Sequence, residues 1–218
     1  MINVASLWNS KDEGLWKKSM ENYWNLIKQE NILLEKEMER LVPANINNLG
    51  ENEWFEFLLK QYFKWKYTAP NRYGSTTKHL KAYKENNRLG ELLYIRDRIL
   101  ASGESGDIGN ALTVTKEIKG LGIAGASGLL ALLFPEKFAT VDQFVVKALR
   151  KVPGLPEREL LDRMNPESLS LQDGVILIRI MKQKADELNN IFKTNYWTPR
   201  KIDIILWAIE RKGYLITG

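Results

Sequence analysis

The sequence predicts an all-α fold, and three observations carry that expectation. Apolar residues recur at three- and four-residue spacing along nearly the whole chain, strict alternation is almost absent, and breakers fall between the periodic stretches. The chain has 218 residues, 44% hydrophobic and 27% charged, enough to bury a core as one large domain or two small lobes. Start and stop signals divide it into roughly nine or ten helices.

Ser10-Lys11-Asp12-Glu13 has capping-box spacing and opens a helical region containing Leu15, Trp16, Met20, Tyr23, Trp24, Ile27, Ile32, Leu33 and Leu34, ending near Leu41 before Pro43. Residues 43–50, PANINNLG, read as a turn-rich linker. An aromatic helix follows from Glu53 to Lys66, carrying Trp54, Phe55, Phe57, Tyr62, Phe63 and Trp65. Residues 68–75, TAPNRYGS, read as a loop whose Ser75 caps a helix over 76–85. A helix over 89–101 leads into a Gly/Ser loop at 101–110. After the 116–151 block, Pro153 and Pro156 break the chain, and helices are expected at 156–164 and 168–192. VILIRIM in the second has a strand's composition, but its flanks keep helical period. Thr198-Pro199 pairs an N-cap with proline at the first helical position and opens a helix ending at Gly213.

Composition excludes several chemistries. No cysteine is present, so there is no disulfide, iron–sulfur cluster or thiolate metal site. His79 is the only histidine and lies in a polar stretch, TTKHLKAYKEN, as a surface residue; acid–base work falls to Asp, Glu, Lys or Tyr. No metal or cofactor is expected. The longest apolar run, residues 128–134, is too short to span a bilayer, and no secretory leader stands at Met1. A cytoplasmic protein with no membrane partner is the expectation. A net charge of +5 suits an acidic partner such as DNA.

The most informative stretch is 116–149, KEIKGLGIAGASGLLALLFPEKFATVDQFVVKAL. Gly120-Leu121-Gly122 forms a hairpin between two helices, where glycine permits positive φ and close backbone approach. The helix that starts near Ile123 directs unpaired N–H groups and its positive dipole end outward, where a phosphate oxygen fits, and Lys119 adds a cation. Ala124, Gly125, Ala126, Ser127 and Gly128 keep the start of that helix small, so that the hairpin's two helices pack closely. Asp142 opens the next helix, as an N-cap or as a functional carboxylate.

This segment resembles the helix-hairpin-helix DNA glycosylase superfamily, which includes endonuclease III and the 8-oxoguanine glycosylases. Ile118, Lys119, Gly120, Leu121 and Gly122 match the hairpin, with Lys119 in place of the usual proline. Val141-Asp142 matches the apolar-Asp pair, and Phe144, Val145 and Leu149 match the apolar positions beyond it. The resemblance implies a two-lobed helical glycosylase-like fold, divided into N-terminal helices at 1–50 that pack with the C-terminal lobe, a barrel lobe carrying the hairpin at 51–152, and C-terminal helices at 153–218. It implies Asp142 as the catalytic carboxylate, stabilising the positive charge that develops on the sugar and orienting a water. Bifunctional members carry a lysine where this chain has Ala124, at the proper 18-residue spacing before Asp142. Alanine forms no Schiff base, so the resemblance implies a monofunctional enzyme without abasic-site lyase activity or an inactive relative, the other alternative being a nucleophile relocated to Lys116, Lys119 or Lys147 nearby in sequence.

The implied partner is double-stranded DNA with one flipped base, bound by a monomer. Asn71, Arg72 and Tyr73 are the candidates for the wedge loop, and Trp65, Tyr67, Phe144, Tyr196 and Trp197 for the base pocket. Lys64, Lys66, Arg72, Lys78, Lys81, Lys147, Arg150 and Lys151 are candidates for a phosphate-tracking face. The alternatives are a non-catalytic DNA-binding protein that keeps the hairpin and an all-α interaction protein with a fortuitous Gly-Leu-Gly turn.

Overall fold

The computed structural model describes residues 3–217, the side chains of 213–217 excepted. Fourteen α-helical segments and no strand occur among the described residues. Helix α1, Val4–Trp8, is capped by Asn3, whose side chain accepts from Ser6 N–H at 2.8 Å. Helix α2, Glu13–Leu26, is capped by Asp12, whose Oδ1 accepts from Leu15 N–H at 3.2 Å. The expected Ser10–Glu13 box does not form; Ser10 Oγ instead accepts from Asp12 N–H at 3.1 Å. The expected long first helix also breaks, because Ile27 is extended (φ −75°, ψ 126°). A 3-10 turn, Gln29–Asn31, then starts α3, Ile32–Met38.

The 43–50 linker contains a helix, α4, Pro43–Asn47, with proline in its first turn. Buried Ile46 anchors it. The aromatic helix comprises α5, Glu51–Phe57, and α6, Phe63–Lys66, joined through a π-helical stretch, Leu58–Tyr62.

The expected loop at 68–75 is mostly helix. Helix α7 spans Pro70–Glu85. Pro70 starts it, and the Ser75 hydroxyl of the expected loop is satisfied within it, donating to Arg72 O at 3.0 Å, while Thr77 Oγ1 further along donates to Tyr73 O at 2.6 Å. Helix α8, Leu89–Ser105, likewise runs through the first half of the expected Gly/Ser loop. There Gly103 meets Phe134, whose Cε2 lies 2.2 Å from where a Cβ would stand. Gly106 (φ +74°) ends α8, and Asp107 caps α9, Ile108–Thr115.

Beyond the hairpin come α10, Ile123–Leu133; α11, Gln143–Leu149; and α12, Arg158–Arg163. Helix α13, Leu171–Phe192, includes VILIRIM and opens with a capping box of Ser170 and Asp173. Helix α14, Pro199–Thr217, is capped by Thr198, whose Oγ1 accepts from Lys201 N–H at 3.3 Å, and runs past Gly213.

One contiguous core runs from Val4 to Leu206. Helix α14 packs against α1, α2, α10, α11 and α13, so the chain's two ends meet. Helices α9 and α10 pack on α13, α8 lies against α4, α5 and α9, and α3 covers α6. The core passes through all three expected segments, of which residues 1, 2 and 218 lie outside the described ones. No helix among the described residues is long and apolar enough to cross a membrane.

Candidate nucleic-acid interface and carboxylate site

The hairpin joins α9 to α10 and is braced from behind. Leu121 N–H donates to Ile118 O at 3.1 Å, and the Leu121 side chain is buried. Tyr83, on α7, accepts from Lys119 N–H at 3.4 Å and donates to Glu117 O at 3.0 Å. Tyr67 donates to Gly120 O at 3.2 Å, and burial pushes its hydroxyl up to about 12.

The two hairpin glycines have different reasons. Gly120 has φ +98°, and a Cβ there would lie 2.5 Å from Thr76 O and 3.3 Å from Phe63 Cε1. Gly122 has φ −84° and open space around its Cβ position. It is the N-cap of α10 and supplies no side-chain acceptor, so no side chain caps the first N–H groups of that helix. A shallow groove of about 380 Å³ lies outside, lined by Ser75, Thr76, His79 and Lys119 to Gly122. His79 is exposed as expected, but its place beside the hairpin was missed. Only the helical period running back from the hairpin-bracing Tyr83 to His79 hints at it.

The small residues of α10 serve a purpose the sequence reading did not assign. They seat side chains from the aromatic helix. A Cβ on Gly125 would lie 2.7 Å from Tyr67 Oη, and one on Gly128 would lie 2.9 Å from Tyr62 Oη and 3.3 Å from Lys66 Nζ. The Tyr62 hydroxyl donates to Gly125 O.

Asp142 is the half-buried N-cap of α11, with Oδ1 accepting from Phe144 N–H at 2.9 Å and Val145 N–H at 3.1 Å. The two residues before it are fixed from both sides. Val141 N–H donates to Ser127 Oγ of α10 at 3.0 Å, and Thr140 N–H donates to Asp203 Oδ2 of α14 at 2.6 Å. Behind them lies a buried polar network that sequence reading missed entirely. Arg200 donates to Asp203 Oδ1 at 2.7 Å, Thr140 Oγ1 at 3.1 Å and Glu39 Oε1 at 2.6 Å. Glu35 lies 3.8 Å from Arg200 and accepts from the Tyr23 hydroxyl and from Trp65 Nε1 at 2.7 Å. Burial pushes the Asp203 carboxyl up to about 7, outweighing Arg200, and also raises Glu35. Burial works against the Arg200 charge, but Asp203 and Glu39 outweigh it and hold the guanidinium well above its ordinary range.

The remaining sequence candidates are dispersed. Asn71 and Arg72 are exposed in the first turn of α7, and Tyr73 is anchored by its hydroxyl to Leu59 O at 3.0 Å. They form helix, correcting the expected wedge loop. Trp65 is held edge-on by Glu35, with Arg200 5.7 Å from its ring centroid. Phe144 faces Trp207 of α14 at 6.2 Å and Arg211 at 5.7 Å. Tyr196 has Lys201 Nζ 3.5 Å from its ring centroid. Trp197 is only 2% exposed, packed edge-on against Trp16 at 5.9 Å, and offers a flipped base no open face. Arg150 donates to the carbonyls of Leu161 and Met164, and Lys151 pairs with Glu210 at 2.6 Å while its side chain stays exposed. No cluster of three or more potential metal-ligating side chains occurs among the described residues.

Comparison with protein-family models, with curated proteins and with solved structures found no match.

Proposed function

We propose that the chain is a monofunctional DNA glycosylase with a two-lobed helix-hairpin-helix fold, acting as a cytoplasmic monomer on duplex DNA with one flipped base. The observation that carries this reading is the placement of Asp142. Its Oδ1 is held by two backbone N–H groups, its Oδ2 makes no hydrogen bond among the described residues, and Ser127 links its approach directly to the hairpin helix. A fixed carboxylate with one free oxygen suits stabilisation of positive charge at the sugar's C1′ and orientation of an attacking water. The uncapped start of α10 suits a phosphate of the same strand. Ala124 leaves the hairpin helix without a lysine nucleophile.

The test is base excision from a panel of duplexes carrying oxidised, alkylated or otherwise modified bases. Excision that leaves the strand intact until alkali is added supports the reading. Strand cleavage without alkali rejects the monofunctional assignment, and no excision from any duplex rejects the glycosylase.

The second reading, DNA binding without catalysis, is favoured by the same two Oδ1 bonds, which are what a purely structural N-cap makes. Salt-dependent duplex binding with no excision selects it.

A further inference from the structure

Lys66, the last residue of α6, has a place that surface solvation does not explain. It is half-buried, with its Nζ against Gly128, 3.3 Å from the point where a Cβ would stand. Among the described residues it makes no hydrogen bond and no ion pair; its Nζ lies 5.8 Å from the Trp65 ring centroid. By contrast Lys17, Lys60 and Lys84 each have a carboxylate within 4 Å. The segment leading to Asp142 meets the same turn of α10, through Val141 N–H on Ser127 Oγ. Asp142 is the strongest charge acting on Lys66, followed by Arg200 and Asp203 from α14 and Glu35 from α3. Burial pulls the amine below the ordinary lysine range, and Asp142 partly restores it. A half-buried amine with neither ion pair nor hydrogen bond, set against the turn of α10 that also holds the Asp142 segment, is costly to maintain and is a candidate functional group.

We propose that Lys66 is the proton donor to the departing base, acting opposite Asp142; this rests on the glycosylase reading above. The C1′–N bond breaks and its electron pair goes to the base nitrogen, which takes a proton from Lys66 Nζ. A water oxygen bonds to C1′ and its proton goes to Asp142. Transfer of that proton from Asp142 to Lys66 restores both groups, and the net change is addition of water across the glycosidic bond. An amine that gives up its proton more readily than a surface lysine suits this role.

Two measurements test it. In the first, the lysines are reductively methylated with 13C-formaldehyde and titrated by NMR, with Lys66 assigned by its loss in Lys66→Met. Its signal should titrate below the surface lysines and lower still in Asp142→Asn; a Lys66 that titrates with the others and ignores Asp142→Asn overturns the proposal. In the second, single-turnover excision is followed against pH. Lys66→Met should lose roughly 100-fold or more, and Lys66→Arg should shift the alkaline limb upward. Normal excision by Lys66→Met overturns the donor role and leaves the glycosylase standing. Borohydride trapping of DNA on Lys66 overturns it in favour of a nucleophile. A wild-type protein that excises no base, with its Lys66 titration intact, overturns the glycosylase reading and the donor role together.

Discussion

Gly120 and Gly122 look alike in the sequence and separate in the structure. Gly120 is required by its φ of +98° and by Thr76 O behind it, whereas Gly122 leaves the start of α10 uncapped with space to spare. Substitution should tell them apart. Gly120→Ala is expected to lose about 1–3 kcal/mol in urea unfolding, through backbone strain and overpacking. Gly122→Ser is expected to change stability by only about a few tenths of a kcal/mol, since serine caps at least as well as glycine. Its hydroxyl would nevertheless take the N–H groups offered to phosphate, so duplex affinity in a binding titration should fall. Equal loss of stability in the two variants would contradict this division. The hairpin and Asp142 were legible because each is local, a few residues setting the backbone. Lys66, His79 and Arg200 were not, because what singles them out is the neighbour each meets across the fold.

At the scale of elements, caps with a local partner were readable and those decided by packing were not. Thr198-Pro199 starts α14 as expected, while the Ser10 box gives way to Asp12 one turn from buried Trp16. The 68–75 stretch carries turn formers yet forms helix, because Tyr73 docks on Leu59 and the Ser75 hydroxyl bonds back along α7. Helix α14 also carries a pH-sensitive support for the Asp142 segment. The Asp203 carboxyl is raised to about 7 in the folded chain, above its ordinary value of 3.8. Between these values the folded state holds a proton that the unfolded chain releases, so this contribution to stability is full below the lower value and is lost as pH rises through about 7. Glu35, raised as well, acts with the same sign. Urea unfolding should therefore show Asp203→Asn flattening the fall in stability between about pH 4 and about pH 7. A wild-type slope that is unchanged in the variant would contradict it.

At the scale of the molecule, the all-α class was legible from periodicity, but the meeting of α1 and α2 with α14 was not, since no local pattern encodes a contact between chain ends. The main core carries the hairpin's Leu121 and the α11 residues behind Asp142, and a smaller cluster of Tyr23, Ile204 and Ala208 joins α2 to α14. The net charge of +5 is modest, so binding should depend on a few placed cations more than on a general field. Duplex affinity should fall with added salt, and Lys119→Ala should shallow the log–log slope by about one unit. An unchanged slope would remove Lys119 from the interface.

The central claim is that the Asp142 carboxylate acts on DNA and does not merely cap α11. Asparagine caps a helix as well as aspartate does, so Asp142→Asn removes the charge and keeps the cap. The direct measurement is single-turnover excision by this variant beside its thermal midpoint. The expected result is a midpoint close to wild type, lowered only by the lost attraction to Lys66, with excision reduced by roughly 100-fold or more. Excision that survives at the wild-type rate in Asp142→Asn would contradict the claim.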